Sequence, residues 1–595
     1  MVNLNHPQLD RNLNRTRRSE DSILNNIRRT PDPDFPQPDL DPRDPYLGTN
    51  HGLFSGHIVD ERGVRRNYTV YVPTTMKTSG SMMLVFLPSR VKAEDFISDE
   101  WKELLEKVET STYFYEAPQG WDDEDPGMEL DGACKMLAEM RCMQLFAANA
   151  PSVYAMGFGD GAKTAAVFAM TYCSVLAGWA ACGDCRLDAE LVEWIGDGPS
   201  DCDEHICRKG VKLPTFIIDG EGDHILVDYF KKANNVREEH LQNELAHVYR
   251  QGQKPGEFFL NDPVISEVWY GIPEKVAAAG EKYVIERMVR FVTGYRRWGG
   301  EGNPYIRRAE TPESMGFKEC RKEIDGLQRL WYVYEPTVYR QKRYEKYPLV
   351  IAIHGFSCSG PFFAENSGWN MIAEERGFFA VFPTAYPWKR TPSERDRRGP
   401  FGGNIARTPS WNSSGSPDPN GPDEVSFFRQ LVAELCAQYP IDPERIYVSG
   451  HSNGSAMTQL LMRKSPELFA GFNPVGGIER GPNGEAVPEP DATVRPVWYV
   501  LGEFDGAGMY LTGHSQDMFR ELCRTNMCDF EARRSYTSGI HNVTLAKNAA
   551  GDPLVKFSGL KNYPHSFSPE LALMVWDDFF AKLRRNPDGS VTWLG

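Results

Sequence analysis

Arg445-Ile446-Tyr447-Val448-Ser449-Gly450-His451-Ser452-Asn453-Gly454 decides the reading of this chain. It opens as a β-branched and aromatic run and closes as a Gly-x-Ser-x-Gly turn. Apolar Ala456, Met457, Leu460 and Leu461 follow at helical spacing, with a stop at Pro466. A serine between strand and helix, flanked by glycines, sits on a turn too tight for a Cβ on either side. Such a turn holds the Ser452 hydroxyl at the strand's C-terminal edge, near a helix N-terminus that favours developing negative charge. That suits a nucleophile.

A serine nucleophile needs a base, and the base needs an orienting acid, in the chain order Ser, acid, His. His565 stands in Asn562-Tyr563-Pro564-His565-Ser566-Phe567, just ahead of the last helical stretch, which neither His541 nor His514 does. Asp505 follows the apolar strand Val497 to Leu501 on a Gly-rich turn. Glu503 is the rival acid and the sequence leaves that choice open, with Asp505 preferred. In this reading Ser452 attacks, His565 carries the proton and Asp505 fixes the imidazole. His451 reads as a packed neighbour. The Asn453 N–H and the Phe356 N–H, from the loop His354-Gly355-Phe356-Ser357, are the expected oxyanion donors.

Working outward, the chain repeats itself. Arg66-Asn67-Tyr68-Thr69-Val70-Tyr71-Val72-Pro73-Thr74 parallels Arg329-Leu330-Trp331-Tyr332-Val333-Tyr334-Glu335-Pro336-Thr337. Met83 to Pro88 parallels Leu349 to Gly355, and Tyr115 to Trp121 parallels Phe382 to Trp388. Tyr154 to Gly161 matches the nucleophile turn, and Phe216 to Asp223 matches Trp498 to Asp505. The expected organisation is a Pro-rich arm or disordered leader over 1–50, then related modules over 51–300 and 301–595. Short apolar runs alternating with amphipathic stretches predict an α/β fold, with a mostly parallel sheet covered by helices in each module.

The same positions in the first module lack the chemistry. Gly159 replaces the serine, Leu87-Pro88 replaces the His-Gly pair, and no histidine stands between Val268-Trp269-Tyr270 and the following helix. Asp160 occupies the place of the backbone donor. This module reads as a non-catalytic copy serving as scaffold, lid or surface for a second copy of the chain.

Composition narrows the rest. Of 595 residues 41% are hydrophobic and 25% charged, an ordinary globular balance. A net charge of −16 argues against nucleic-acid or anionic-membrane partners, and no apolar run approaches the about 20 residues of a membrane span. The absence of an apolar leader segment, and twelve scattered cysteines, lead us to expect a cytoplasmic setting with free thiols. Cys182-x2-Cys185 and Cys202-x4-Cys207, with His205 between the latter pair, approach zinc spacing; zinc, a disulfide and free thiols all remain open.

Leu349 to Gly355, Asp423-Glu424-Val425-Ser426-Phe427 ahead of a helix, Tyr439 to Tyr447 leading into the turn, and Gly502 to Asp505 carry a resemblance. Together, over most of residues 320–585, they resemble the polyhydroxybutyrate depolymerase and feruloyl esterase-like group of α/β hydrolases. The resemblance implies tandem α/β-hydrolase modules, the first degenerate, and hydrolysis of a carboxylic ester with no metal or cofactor. A feruloyl, acetyl or hydroxyacyl ester is the expected substrate. An oligo(hydroxybutyrate) depolymerase, a serine peptidase or an acyltransferase would use the same triad, and a binding or scaffold protein is the reading from another class.

Between Trp388 and Asp423 a long insertion carries Lys389, Arg390, Arg395, Arg397, Arg398 and Arg407. Arg397 and Arg398 are candidates for receiving an anionic group, since guanidinium clasps carboxylate bidentately. Trp388 and Trp411, with Phe401, are candidates for an aromatic substrate wall.

Overall fold

In the computed structural model, residues 28–30, 44–46, 51–60, 62–76, 80–122, 129–130, 132–133, 148–200, 207–220, 222–236, 240–250, 266–297, 306–388, 408–413, 417–479, 487, 491–505, 510–561, 563 and 565–595 are described. They fall into two compact units, divided between Ala309 and Glu310.

In the first unit the strands are β1 (Arg28–Thr30), β2 (Gly52–Val59), β3 (Arg65–Val72), β4 (Gly80–Phe86), β5 (Thr110–Tyr115), β6 (Ala148–Phe158), β7 (Gly178–Cys182), β8 (Thr215–Ile218), β9 (His240–Gln242), β10 (Ala246–Arg250) and β11 (Glu267–Gly271). They form one sheet in the order β1-β2-β3-β5-β4-β6-β7-β8-β11-β10-β9. The run from β5 to β11 is parallel, and both ends are antiparallel. Side chains of β4 alternate between two cores. Met82, Leu84 and Phe86 face one cluster, while Met83, Val85 and the following Leu87 face the other. That two-sided burial is why the run is continuously apolar rather than alternating. Helix α1 (Gly161–Thr171) follows β6, and α2 (Glu281–Thr293) buries Val284, Met288, Val289 and Val292 in the second cluster. Of the Pro-rich leader, Arg28–Thr30 pairs with Leu53–Ser55, so at this point it extends the sheet rather than trailing in solvent.

The second unit holds β12 (Phe317–Ile324), β13 (Leu327–Tyr334), β14 (Tyr347–Ile353), β15 (Phe379–Thr384), β16 (Ile441–His451), β17 (Gly471–Val475), β18 (Val497–Gly502), β19 (Arg534–Ser538), β20 (His541–Ala546) and β21 (Val555–Leu560). Their order is β12-β13-β15-β14-β16-β17-β18-β21-β20-β19, the order of the first unit from β2 onward, strand for strand. Helices α3 (Gly360–Ser367), α4 (Glu424–Gln438), α5 (Asn453–Lys464) and α6 (Pro569–Asp578) complete the part that bears on the site. Each unit thus holds a mostly parallel α/β sheet covered by helices. Among the described residues no helix is long and apolar enough to cross a membrane.

Individual interactions recur with the strands. Arg66 and Glu129 form a buried ion pair at 2.7 Å, and Arg329 and Glu424 form one at 3.0 Å. The Tyr71 hydroxyl donates to Glu106, which also accepts the Thr74 N–H; Tyr334, Glu374 and Thr337 repeat the arrangement. The Tyr154 hydroxyl reaches the Tyr295 carbonyl, as that of Tyr447 reaches the Leu583 carbonyl. Arg297 braces the carbonyls of Leu176 and Lys212, and Arg585 those of Phe469 and Val494. The ion pairs, the Tyr154 and Tyr447 hydroxyls and the Arg297 and Arg585 guanidiniums satisfy buried polar atoms that would otherwise cost about 1–3 kcal/mol apiece.

Candidate active site

Strand β16 delivers Ser452 at φ +57° and ψ −114°, a conformation that L residues adopt at a cost. The turn is fixed from both sides. The Ser452 N–H donates to the Val475 carbonyl at 2.8 Å. A Cβ on Gly450 would lie 2.1 Å from the Gly454 carbonyl oxygen, and one on Gly454 would lie 2.2 Å from that of Ile353. No L side chain fits at either glycine, which is the physical content of the motif.

His565 arrives just before α6, its ring partly open to solvent, and its Nδ1 hydrogen-bonds Asp505 Oδ1. The other oxygen of Asp505 accepts the Gly502 N–H at 2.5 Å, so the carboxylate, itself buried, is held by its own strand end. Between Glu503 and Asp505, it is therefore Asp505 that the fold brings onto the imidazole. Gly476, the residue after Val475, passes beneath the ring at φ +74°, where a Cβ would lie 3.1 Å from His565 Cε1 and 3.0 Å from the His451 ring. Serine turn, histidine and acid thus converge at the C-terminal edge of β16, β17 and β18.

His451 is indeed packed. Its ring stacks on Phe363 at 11°, lies 4.6 Å from the His565 ring, and buries Nε2 without a hydrogen-bond partner. Burial, reinforced by repulsion from His565, holds its pKa well below the usual histidine value, so it stays neutral at neutral pH.

The loop after β14 runs against Ser452: a Cβ on Gly355 would lie 3.3 Å from Ser452 Cβ. His354 shapes that loop. Its Nε2 accepts the Ala385 N–H at 2.9 Å, so Nδ1 carries the proton and donates to the Gly355 carbonyl at 2.6 Å. Burial pushes its pKa down to about 4. Phe356 lies between Gly355 and Ser357, whose N–H is tied to the Pro409 carbonyl at 2.9 Å. Asn453 opens α5, where the first N–H groups of a helix have no partner within it.

Trp411 takes a different place from the one its spacing suggested. It is 3% exposed, packs against His354, Phe427 and Phe428, and donates its Nε1–H to the His354 carbonyl at 2.9 Å. It supports the loop in the core instead of forming a substrate wall. Trp388 is half-buried, with its Nε1–H on the Ser410 carbonyl at 2.8 Å. Arg397, Arg398, Phe401 and the other basic residues from Lys389 to Arg407 lie outside the described residues.

Residues 333–495 match the family model Esterase PHB depolymerase. The curated relatives include a poly(3-hydroxyalkanoate) depolymerase C of Paucimonas lemoignei, 30% identical over 130 residues, which are 22% of this chain and 28% of that protein. An acetylxylan esterase A of Aspergillus ficuum is 26% identical over 135 residues, 22% of this chain and 38% of that one. The chain thus spans about a third of the length of the curated relatives it matches. Among solved structures, the acetyl xylan esterase from Aspergillus awamori aligns with a TM-score of 0.32 at 14% identity, over 44% of this chain and 98% of that one.

The first unit has the same backbone at the corresponding turn with different side chains. Gly159 also has φ +57°, and its N–H donates to the Cys182 carbonyl at 2.9 Å, as Ser452 does to Val475. Asp160, one residue on, accepts the Ser89 N–H on its carboxylate at 2.7 Å, at the loop that corresponds to Gly355–Ser357 in the second unit.

Sequence spacing had grouped Cys182, Cys185, Cys202 and Cys207. In the structure Cys185 instead meets Asp219 and His224, residues from a different strand end that spacing does not connect. The Leu226 N–H donates to His224 Nδ1 at 3.3 Å, so Nε2 carries the proton and donates to Asp219 Oδ2 at 3.0 Å. That same oxygen accepts the Cys185 N–H at 3.4 Å and faces Arg186 Nε at 3.3 Å. The trio is a satisfied hydrogen-bond knot, with its proton rather than a lone pair turned inward. Cys182 and Cys207 are free thiols, whereas Cys202 and His205 lie outside the described residues.

Proposed function

We propose that the second unit is a serine carboxylic ester hydrolase acting through Ser452, His565 and Asp505. The observation that carries this reading is the His565–Asp505 hydrogen bond beside a strained serine turn, the turn itself lying within the residues 333–495 that match an esterase family. His565 takes the Ser452 proton as the hydroxyl attacks the ester carbonyl, then returns it to the leaving alcohol. Water, activated by the same imidazole, releases the acid from the acyl-enzyme, and Asp505 stabilises the imidazolium at each step. The N–H groups of Asn453 and Phe356 receive the oxyanion. No metal or cofactor enters this scheme.

The proposed substrate is a small ester with an acetyl, feruloyl or hydroxyacyl group, in line with the named activities of the relatives. An anionic group on it would meet Arg397 and Arg398; charge reversal there that leaves the preference between anionic and neutral esters unchanged would dismiss this part. The first unit is proposed to be a degenerate duplicate, retained as scaffold or surface for a second copy. The shared strand order and the recurring ion pair support it.

The deciding experiment compares wild type with Ser452→Ala on p-nitrophenyl acetate, methyl ferulate and a hydroxybutyrate oligomer. Turnover by wild type and a loss of several orders of magnitude in the variant is the expected result. Equal activity of the two proteins would refute the assignment.

A further inference from the structure

We infer that the side chain of Asn453 is a positioning group, clamped by Trp411 and Ser413, that sets the oxyanion hole for catalysis; this rests on the reading of Ser452 as nucleophile. The sequence assigns Asn453 only a backbone role. In the structure its amide forms a two-point pairing with the backbone of a remote segment. The Trp411 N–H donates to Asn453 Oδ1 at 2.7 Å, and Asn453 Nδ2 donates to the Trp411 carbonyl at 3.2 Å and to Ser413 Oγ at 3.0 Å. The donors and acceptors facing it fix which end of the amide is oxygen. Ser413 Oγ in turn donates to the Asn453 carbonyl at 3.4 Å.

Trp411 also holds the opposite arm. Its indole N–H reaches the His354 carbonyl, immediately ahead of Gly355 and Phe356, and the nearby Pro409 carbonyl accepts the Ser357 N–H. One short segment, Pro409 to Ser413, therefore binds both strands of backbone from which the oxyanion donors are drawn. Those donors act by being fixed before charge develops, and small displacements weaken them steeply. The segment is itself anchored: Asn412 Nδ2 donates to the Asp418 and Pro422 carbonyls, and Trp411 is buried against α4. Asparagine at this position thus does work that alanine or leucine, equally compatible with the first turn of α5, would not.

The test uses the full-length chain with Asn453→Ala and, as a variant that keeps the aromatic packing, Trp411→Phe. Kinetics on p-nitrophenyl acetate are read as kcat and KM separately, beside inhibition by butylboronic acid, a tetrahedral mimic, and by butyrate. The expected result is a fall in kcat of about tenfold or more with KM within about twofold, and boronate affinity falling alongside kcat while butyrate affinity holds. Unchanged kcat in both variants, with Ser452→Ala inactive, overturns the clamp and leaves the nucleophile standing. Parallel losses of kcat, KM, butyrate binding and melting temperature would mean a merely structural role and also overturn it. A Ser452→Ala protein as active as wild type would overturn both readings.

Discussion

The carboxylate of Asp160 accepts the backbone N–H of Ser89 at 2.7 Å, in the first unit's counterpart of the nucleophile turn. The second unit has Asn453 at that position, with its amide turned to Trp411 instead. The side chain next to the turn thus takes a different partner in each unit, the Ser89 N–H in the first and Trp411 in the second. At this turn the first unit therefore differs from the second by more than the serine. Pro88 lies under the turn, where a Cβ on Gly159 would be 3.1 Å away, so even the missing side chain has little room.

Restoring the serine should therefore restore nothing. Gly159→Ser placed on a Ser452→Ala background is expected to show no turnover of p-nitrophenyl acetate and no labelling by a fluorophosphonate. Labelling at residue 159 would show that the first site is dormant rather than dismantled.

Asp505 and Glu503 are two residues apart, and only Asp505 has the geometry of an orienting acid, with one oxygen on His565 and the other on the Gly502 N–H. Asp505→Asn should lower kcat by about 10⁴, because an amide facing Nδ1 stabilises the wrong tautomer. Glu503→Gln should cost less than about tenfold. Steady-state kinetics of the two variants side by side decides the matter, and a reversed order would move the acid to Glu503.

Much of this was legible because periodicity and turn chemistry are local. The glycines around Ser452, the apolar run of β14 and the histidine before α6 declare themselves within ten residues, and the repeat multiplies their weight. Contacts made across the sheet left no such mark. Trp411 looked like a binding residue because an aromatic in a polar insertion has two readings, and only the His354 carbonyl above its indole tells them apart. His224 and Cys185 are brought together by adjacent strand ends, β7 and β8, so cysteine spacing pointed elsewhere. Arg66 and Arg329 were aligned by sequence, but their partners Glu129 and Glu424 lie in dissimilar segments and became visible as equivalents only through the ion pairs.

The Arg329–Glu424 pair, with both side chains wholly buried, gives a stability prediction. Removing one partner strands a charge, so Arg329→Met should destabilise the second unit by about 3–5 kcal/mol. The double variant Arg329→Met, Glu424→Leu should recover a large part of that loss, since apolar groups of similar volume replace a desolvated pair at little cost. Urea unfolding of the single and double variants measures it; equal destabilisation of the two would show that the pair is worth more than its desolvation.

His354 supplies the pH dependence. Its folded pKa of about 4 lies below the ordinary histidine value because burial disfavours the charged ring. Between those two values the unfolded chain binds a proton that the fold excludes, so stability rises with pH across that window. It is therefore fully present above about pH 6.5 and declines as pH falls toward 4, by up to a few kcal/mol from this group. Acid should also act where the ring does: protonating Nε2 removes the acceptor for the Ala385 N–H and loosens the Gly355 loop beside Ser452. His354→Gln, whose amide oxygen can still take an N–H but does not titrate, should be less stable at pH 7 and lose less on going to pH 4.5. Urea midpoints at the two pH values test this, and identical acid sensitivity in wild type and variant would remove His354 from the account.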